Sequence, residues 1–205
     1  MTRALPLVGI VLFYVIAGFW RPWLQRRRTG SSGNCMFRSA DLASWVRDAG
    51  AVLVFTLLLA QAIVAAGWPA LLSRLIAPPG PAGTLVYAAG AVLLFAGLVL
   101  LVTAQLQLGA SWRIGIEAGA SPGLVTDRLY AYSRNPIFLG LLMLVAGYAL
   151  MLPTVLSLVI LVALYVGIRQ QVGAEEAYLV ATYGDAYRAY AGRVGRFVPG
   201  VGKLT

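Results

Sequence analysis

Long apolar stretches separated by short polar segments run through almost the whole of this 205-residue chain. Five of them stand out, at residues 4–20, 50–72, 84–108, 137–152 and 154–168. An α-helix needs about 20 predominantly apolar residues to cross the hydrocarbon core of a bilayer. The pattern therefore predicts an all-α integral membrane protein with about five transmembrane helices.

The last two apolar stretches are shorter than the others. At the rise of an α-helix, residues 137–152 and 154–168 correspond to about 24 Å and about 22 Å, less than a hydrocarbon core of about 30 Å. Pro153 separates them and fits a tight turn, because proline is not tolerated in the interior of a helix. We therefore predict a short helical hairpin over residues 137–168, with both ends on the same side of the membrane, followed by a C-terminal helical tail.

Basic residues occur in alternate segments between the predicted helices. Six arginines lie within residues 21–49, Arg74 is the only basic residue of 73–83, and basic residues return in 109–136 and after residue 168. Loops rich in arginine and lysine stay on the cytoplasmic side of a membrane. We therefore predict a protein of a bacterial-type plasma membrane, with its N-terminus outside and its C-terminus in the cytoplasm.

Composition supports the membrane assignment and excludes several kinds of site. Hydrophobic residues make up 60% of the chain and charged residues 11%, a balance typical of integral membrane proteins. The single cysteine, Cys35, rules out an intrachain disulfide and a thiolate metal cluster. Histidine is absent, which removes the usual general base and the commonest metal ligand. We expect no metal site.

The formal net charge of +9 raises the question of a nucleic-acid partner. However, the basic residues cluster just outside the apolar stretches, where membrane topology and attraction to anionic lipids explain them. We therefore expect the membrane, and not a nucleic acid, to be the partner of these charges.

Charged and polar residues gather where the predicted hairpin opens. Those that lead into and out of it are Arg134, Asn135, Pro136, Arg169, Glu175 and Glu176. A carboxylate partly removed from water is costly unless it is paired. One interpretation is an ion pair between a glutamate and an arginine that stabilises the mouth of the hairpin. The other is a pocket with both charge signs, suited to a zwitterion such as an amino acid moiety, whose carboxylate would meet an arginine.

Several motifs follow one another between residues 105 and 200. They are GASWRIGI at 109–116, LVT at 124–126, YSRNPIFLG at 132–140, the paired glutamates, YGDAYRAY at 183–190, and then Arg196 and Pro199. In this order and spacing they resemble the membrane methyltransferases related to isoprenylcysteine carboxyl methyltransferase, a group that includes phosphatidylethanolamine N-methyltransferase. The resemblance implies S-adenosylmethionine as methyl donor, in a cytoplasm-facing pocket capped by the C-terminal tail. It also implies a lipid or other lipophilic acceptor that enters sideways between helices.

Carried over by position, the resemblance assigns cofactor-binding roles to ten residues of this chain. Two would line the adenine side, Leu124 and Val125. Four would form the wall of the mouth, Tyr132, Arg134, Asn135 and Pro136. Two would pack on the nucleoside, Phe138 and Leu139. Two would bind polar groups of the cofactor, Glu176 together with Glu175. On this basis residues 109–205 form a methyltransferase-like cofactor-binding region, and residues 1–108 hold three transmembrane helices with a cytoplasmic loop at 21–49.

This chain departs from the family pattern at two positions. Asn135 stands where histidine is usual, and Phe138 stands where tyrosine is frequent. Asparagine donates and accepts hydrogen bonds but does not titrate near neutral pH. Either this position serves binding and not proton transfer, or the activity of this chain is lost or changed. We therefore expect the catalytic contribution of Arg134 and Asn135 to be the positioning of the reactants.

Two other functions remain open on the sequence. An NADPH-dependent membrane reductase of the sterol or steroid type has a similar C-terminal end, although paired glutamates favour a cationic cofactor over a polyanionic one. A catalytically degenerate membrane scaffold is the other alternative. A transporter or channel is disfavoured, because the predicted spans hold almost no ionisable residues. The sequence identifies neither the methyl acceptor nor the oligomeric state.

Overall fold

The computed structural model describes residues 4–38, 41–72, 81–112 and 123–204, and within them it contains helices and no β-strand. The α-helices are α1 (Leu5–Phe13), α2 (Arg21–Thr29), α3 (Leu42–Gly67), α4 (Pro69–Leu72), α5 (Pro81–Leu108), α6 (Pro136–Met151), α7 (Val155–Tyr183) and α8 (Asp185–Arg193). A π-helix, Tyr14–Trp20, joins α1 to α2, and the two 3-10 turns are Gly109–Ser111 and Arg128–Ala131. The predicted all-α class is confirmed. Arg74 and residues 113–116 of the first motif lie outside the described residues.

Four helical segments of the described chain are long and apolar enough to cross a membrane by length and composition. They are Leu5–Thr29, Leu42–Gly67, Gly83–Ser111 and Val155–Tyr183. The helix α6 is also apolar, but it has only 16 residues. Each of the five predicted apolar stretches therefore contributes a helix, and four of these helices have full spanning length.

The helices α5 and α6 lie closer together than most side chains would allow. Gly90 and Gly97 of α5 face Gly147 and Gly140 of α6. A Cβ atom placed on Gly97 would lie 2.6 Å from the carbonyl oxygen of Gly140, and one placed on Gly90 would lie 2.8 Å from that of Gly147. Small residues at a helix interface let the two backbones approach each other in a membrane. These glycines therefore hold α6 directly against α5.

A buried polar network ties α3 to the turn between α6 and α7. The side chain of Gln61 donates to Thr154 Oγ1 (2.5 Å) and accepts from Tyr148 OH (3.2 Å) and Ser157 Oγ (3.1 Å). Polar groups in an apolar interior are costly unless they form hydrogen bonds. Because these side chains satisfy one another, the network fixes the closed end of the hairpin against α3.

The hairpin predicted over residues 137–168 is present, but its second helix is longer than predicted. The side chain of Thr154 accepts a hydrogen bond from Ser157 N (3.0 Å) and so caps α7, with Pro153 in the turn before it. The helix then runs for 29 residues and ends at Tyr183. The prediction stopped at residue 168 because it followed apolar residues, whereas a helix can continue through polar ones when its surface reaches water.

The length of α7 changes where the paired glutamates lie. Glu175 and Glu176 belong to the helix itself, about two turns before its end, and not to a tail beyond it. Gly184 ends the helix with a positive φ of 52°, a backbone conformation that glycine adopts without strain. The chain then turns into α8 and returns toward the start of α6.

The arginine-rich segments meet at one end of the bundle. Arg21 donates from Nη2 to the carbonyl oxygens of Gln105 (3.1 Å) and Gly109 (2.9 Å), so the start of α2 lies beside the end of α5. Tyr190 of α8 donates to the carbonyl oxygen of Tyr130 (2.6 Å), which brings the C-terminal region to the segment before α6. The predicted topology places the basic segments on one side of the membrane, and this requires that they meet at the same end of the helix bundle. That it faces the cytoplasm stays a prediction.

Candidate functional site

The start of α6 sets the geometry of the candidate site. Asn135 occupies the N-cap position and Pro136 the first turn, where proline costs no hydrogen bond because the first backbone N–H groups of a helix have no intrahelical acceptor. The residue before a proline is disfavoured in the helical conformation, so the helix begins here. Arg134 therefore lies just outside the helix, on non-helical backbone, and its side chain extends toward α7 and the C-terminal region.

Arg134 is buried and binds three parts of the chain at once. Its Nη2 lies 2.8 Å from Glu176 Oε1 and 2.8 Å from the carbonyl oxygen of Gly202, and its Nη1 donates to the carbonyl oxygen of Ala191 (2.9 Å). Only 2% of the Arg134 side chain is exposed. Its Nε is buried without a hydrogen-bond partner. The guanidinium thus joins the segment before α6 to α7, to α8 and to the C-terminal segment, and its Nε–H group has no acceptor.

Glu176 accepts hydrogen bonds from two arginines. Its Oε2 lies 2.6 Å from Arg196 Nη2, and Arg196 Nε donates to its Oε1 (3.1 Å). The hydrogen bond with Glu176 raises the pKa of Arg196 above its ordinary value. The cluster of Arg134, Glu176 and Arg196 (the charge cluster) carries a net charge of one positive unit, since two guanidinium groups share one carboxylate.

The C-terminal segment after α8 folds back over this cluster. Arg196 N donates to the carbonyl oxygen of Val201 (2.8 Å), and Leu204 N donates to that of Ala191 (3.1 Å). Arg134 N reaches the carbonyl oxygen of Gly195 (3.0 Å). A Cβ atom on Gly195 would clash with the carbonyl oxygen of Val198, so this tight turn requires glycine. We call residues 194–204 the C-terminal strap.

Asn135 contacts the C-terminal strap with its side chain. Its Nδ2 donates to the carbonyl oxygen of Arg196 (3.1 Å), while its backbone N donates to Ser133 Oγ (3.2 Å). An amide provides the N–H donor for this contact at any pH, whereas a neutral histidine would provide it in one tautomer only. In this chain Asn135 therefore helps to hold the residue that carries the Arg196 guanidinium.

Buried tyrosines border the charge cluster on the side of α8. Tyr187 and Tyr190 stack edge to face with ring centroids 6.0 Å apart, and their cluster includes Leu124 among the side chains that pack on it. Burial raises the pKa of Tyr187 above its ordinary value, and Glu176 adds to this shift. Burial also raises the pKa of Tyr190 to about 12, against the opposing charge of Arg134. These phenols are therefore neutral hydrogen-bonding groups over a wide pH range.

The ten residues predicted for the site divide into two groups. The structure brings Arg134, Asn135 and Glu176 together and places Pro136, buried, beside them. Leu124 reaches the same end through the tyrosines. Val125 and Leu139 are half-buried.

Among the described residues, no hydrogen bond or ion pair joins the remaining predicted residues to the charge cluster. Tyr132 is 67% exposed. Phe138 packs against the main apolar core of the helix bundle. Glu175, next to Glu176, accepts a hydrogen bond from Gln171 Nε2 (2.7 Å) one turn earlier on α7. The predicted contacts of these residues with a cofactor stay predictions.

The sequence prediction did not include Arg196 or Tyr187 among the site residues, although the structure places both at the charge cluster. Arg196 was noted only as a match to the end of the family pattern, although it lies twenty residues after Glu176 with a glycine turn between them. The chain has only seven acidic residues. A glutamate near the end of a helix, followed by an arginine after a chain reversal, therefore indicates an ion pair between the two. The tyrosines of α8 share a helical face, but the sequence does not say that this face is covered.

Comparisons with known proteins agree with the fold. Residues 85–186 match the family model described as phospholipid methyltransferase. The protein-S-isoprenylcysteine O-methyltransferase of Schizosaccharomyces pombe is 32% identical over 106 residues, which are 50% of this chain and 45% of that relative. The chain therefore spans less than half the length of the curated relative it matches.

A solved structure has a similar fold over nearly the whole chain. It is that of the eukaryotic intramembrane Ras methyltransferase, isoprenylcysteine carboxyl methyltransferase, with a TM-score of 0.65 and 19% sequence identity. The match covers 96% of this chain and 66% of that one. The sequence match to the family contains Arg134, Asn135 and Glu176. Residues 85–186 therefore match the phospholipid methyltransferase family.

Proposed function

We propose that this chain transfers the methyl group of S-adenosylmethionine to a lipophilic acceptor that lies in the membrane. The observation that carries the proposal is the charge cluster, in which the guanidinium groups of buried Arg134 and half-buried Arg196 share the carboxylate of Glu176. Arg134 and Glu176 lie within the region that matches the family. The relatives are methyltransferases by name, and the four spanning helices agree with an acceptor that partitions into lipid.

The residues at the mouth fit the amino acid end of this cofactor. Arg134 Nε is a buried donor without a partner, and an unpartnered buried donor favours binding of an acceptor group. The excess positive charge of the cluster suits a carboxylate, which arginine binds through charge-assisted hydrogen bonds. Arg134 and Arg196 would therefore hold the carboxylate of the methionine moiety.

The remaining parts of the cofactor also have candidate partners. Glu176 is already saturated by two arginines, so it would orient those arginines more than it would bind ribose hydroxyls. Glu175, which has a single hydrogen bond from Gln171 in this arrangement, is the better partner for the ammonium group. Leu124 and the ring of Tyr187 offer apolar surface for the adenine.

Methyl transfer from a sulfonium requires no covalent intermediate with the protein. When bound, the sulfonium would supply a methyl group to a nucleophile, a transfer that neutralises charge when the acceptor is an anion. The residues of the chain then need to hold donor and acceptor in line and to exclude water. Arg134 and Asn135 would do this as positioning residues, which agrees with the absence of a histidine at position 135. We propose that the site faces the cytoplasm, as the distribution of basic residues indicates.

Calorimetric titration of the detergent-purified protein with S-adenosylhomocysteine tests the proposal. We expect micromolar binding to the unchanged chain, strong weakening in Glu176→Ala, and no binding of NADPH. Asp185→Ala is the matched control, because Asp185 forms an exposed ion pair with Arg188 on α8. Arg196→Gln provides a second site variant whose side chain is 26% exposed and less important for folding. Binding of NADPH in place of the nucleoside would support the reductase, and binding of neither would support a degenerate scaffold.

A further inference from the structure

The first helical segment carries positive charges that form no ion pair with the part of the chain that the structure describes. Residues 1–40 contain six arginines and no aspartate or glutamate. Three of them, Arg26, Arg27 and Arg28, form the last turn of α2 and are exposed. Among the ion pairs of the described residues, none involves these three side chains. A group of arginines at the end of an apolar helix favours binding of anionic lipid.

Arg21 fixes the orientation of this helix. It is 1% exposed, and its guanidinium donates to the side chain of Gln25 (2.9 Å) and to carbonyl groups in the last turn of α5 and in the 3-10 turn after it. The guanidinium carbon also lies 4.3 Å from the centroid of the Trp112 ring. Gln25 adds a hydrogen bond to the carbonyl oxygen of Ala110 (2.9 Å). A cation at the C-terminal end of a helix is favourable because that end carries partial negative charge. One face of α2 is therefore anchored to α5, and the opposite face points away from the protein.

The outward face has a graded chemical character. Val15, Phe19, Trp23 and Arg27 follow one another at intervals of four residues, which places them on one side of the helix. They form what we call the outer stripe, and the first three are 51%, 73% and 43% exposed. The guanidinium of Arg27 lies 4.2 Å from the centroid of the Trp23 ring. The outer stripe therefore passes from aliphatic to aromatic to cationic along one line.

We propose that the outer stripe binds an anionic phospholipid, with one acyl chain along Val15 and Phe19 and the headgroup phosphate at Arg27 and its neighbours on the last turn of α2. A free phosphate ion would use the arginines but not the apolar part of the stripe. A phospholipid uses both, and tryptophan is enriched at the depth where acyl chains meet headgroups. The proposal is independent of methyl transfer, because none of these residues belongs to the charge cluster.

The test compares lipids that share acyl chains and differ in headgroup charge. Native mass spectrometry of the full-length, detergent-purified protein would be titrated with phosphatidylglycerol and, separately, with phosphatidylcholine. We expect tighter binding of phosphatidylglycerol, and a loss of about fivefold in its affinity for Arg27→Gln, the effect of one arginine near an anionic surface. Trp23→Ala should weaken the binding as well, because it interrupts the apolar part of the stripe. Arg193→Gln, which removes an exposed arginine of α8, is the control and should leave the affinity unchanged.

Three results would overturn the proposal. Equal affinity for the two lipids would mean that the arginines do not discriminate between lipids by the charge of the headgroup. An equal loss of affinity in Arg27→Gln and Arg193→Gln would mean general electrostatic attraction and not a site. Competition by inorganic phosphate or glycerol 3-phosphate at the same concentration as the lipid would identify a site for a free anion. Size-exclusion profiles of the variants would verify folding, and Arg27→Lys, which keeps the charge, should retain the preference for phosphatidylglycerol.

Discussion

Arg134 Nη2 and Glu176 Oε1 lie 2.8 Å apart, and each side chain is more than nine-tenths buried. The pair joins a residue two positions before α6 to the C-terminal half of α7, and the two are more than forty residues apart in sequence. Removing one partner of a buried pair is costly because it leaves the other charge without compensation. The pair is thus a structural tie as well as the proposed cofactor site.

We expect Arg134→Gln to destabilise the folded protein by about 3 kcal/mol, the lower part of the range for breaking a buried pair. The loss stays in this lower part because Glu176 keeps Arg196 as a partner. Thermal or denaturant unfolding in detergent would measure it. The matched control is Arg188→Gln, which removes an ion pair whose side chains are 61% and 100% exposed and should cost far less, because water screens such a pair. Equal losses in the two variants would contradict the structural role of the buried pair.

The glycine contacts between α5 and α6 lead to a second prediction. A methyl group on Gly97 would meet backbone atoms of Gly140 and Leu144 at 2.6 Å, so Gly97→Ala forces the helices apart. We expect a loss of about 1–3 kcal/mol, as for other overpacked interiors. The measurement is the unfolding temperature of the purified protein.

Gly167→Ala is the control for this substitution. Gly167 lies inside α7 with no atom near the position of a Cβ, so alanine should leave stability unchanged or raise it by about 0.5–1 kcal/mol. A Gly97→Ala protein as stable as Gly167→Ala would mean that α5 and α6 are not in backbone contact.

Much of the architecture follows from the spacing of apolar residues alone. The apolar part of each of the five helices and the turn at Pro153 could be predicted from it. The polar residues at the mouth of the hairpin predicted an ion pair between a glutamate and an arginine, but not which arginine takes part. The length of α7 could not be predicted, because apolar residues mark the part of a helix in lipid and not the turns that extend into water. Its true end is set by Gly184, whose positive φ is visible only in the structure.

The composition of the site was harder to predict for a different reason. An apolar helix such as α6 has no polar face that indicates which residues point to the site, so the sequence could not show that Phe138 packs into the core. Arg196 depends on the fold of the C-terminal strap, which is held by backbone hydrogen bonds that leave little pattern in the sequence. The resemblance to a family supplied candidate positions, but the contacts among them come from tertiary structure.

Asn135 gives a third prediction, which concerns the mobility of the C-terminal strap. Asn135→Ala removes the hydrogen bond to the carbonyl oxygen of Arg196, worth about 1 kcal/mol. The strap should therefore open more often. Hydrogen exchange would detect this as faster exchange at the amides of Arg196 and Leu204, which are bonded within the C-terminal region. Asn34→Ala, at an exposed loop position, should leave these amides unchanged.

The buried tyrosines predict how stability depends on pH. A tyrosine in the unfolded chain has a pKa of about 10, and burial raises the pKa of Tyr190 to about 12 in the folded protein. The unfolded state therefore releases its proton first, so the stability from keeping this phenol neutral is complete below pH 10. It is lost as the pH rises from about 10 toward 12. The pKa values of Tyr130 and Tyr187 are raised by burial too, which steepens the loss.

Unfolding temperatures measured at a series of alkaline pH values would test this dependence. We expect Tyr190→Phe to lower stability near neutral pH, because it removes the hydrogen bond to the carbonyl oxygen of Tyr130, yet to show a shallower fall above pH 10, because one titrating group is gone. Tyr165→Phe, on the exposed side of α7, should keep the full slope. If both variants showed the same slope, the phenol of Tyr190 would not be shielded from water, and the packing of α8 against the charge cluster would have to be revised.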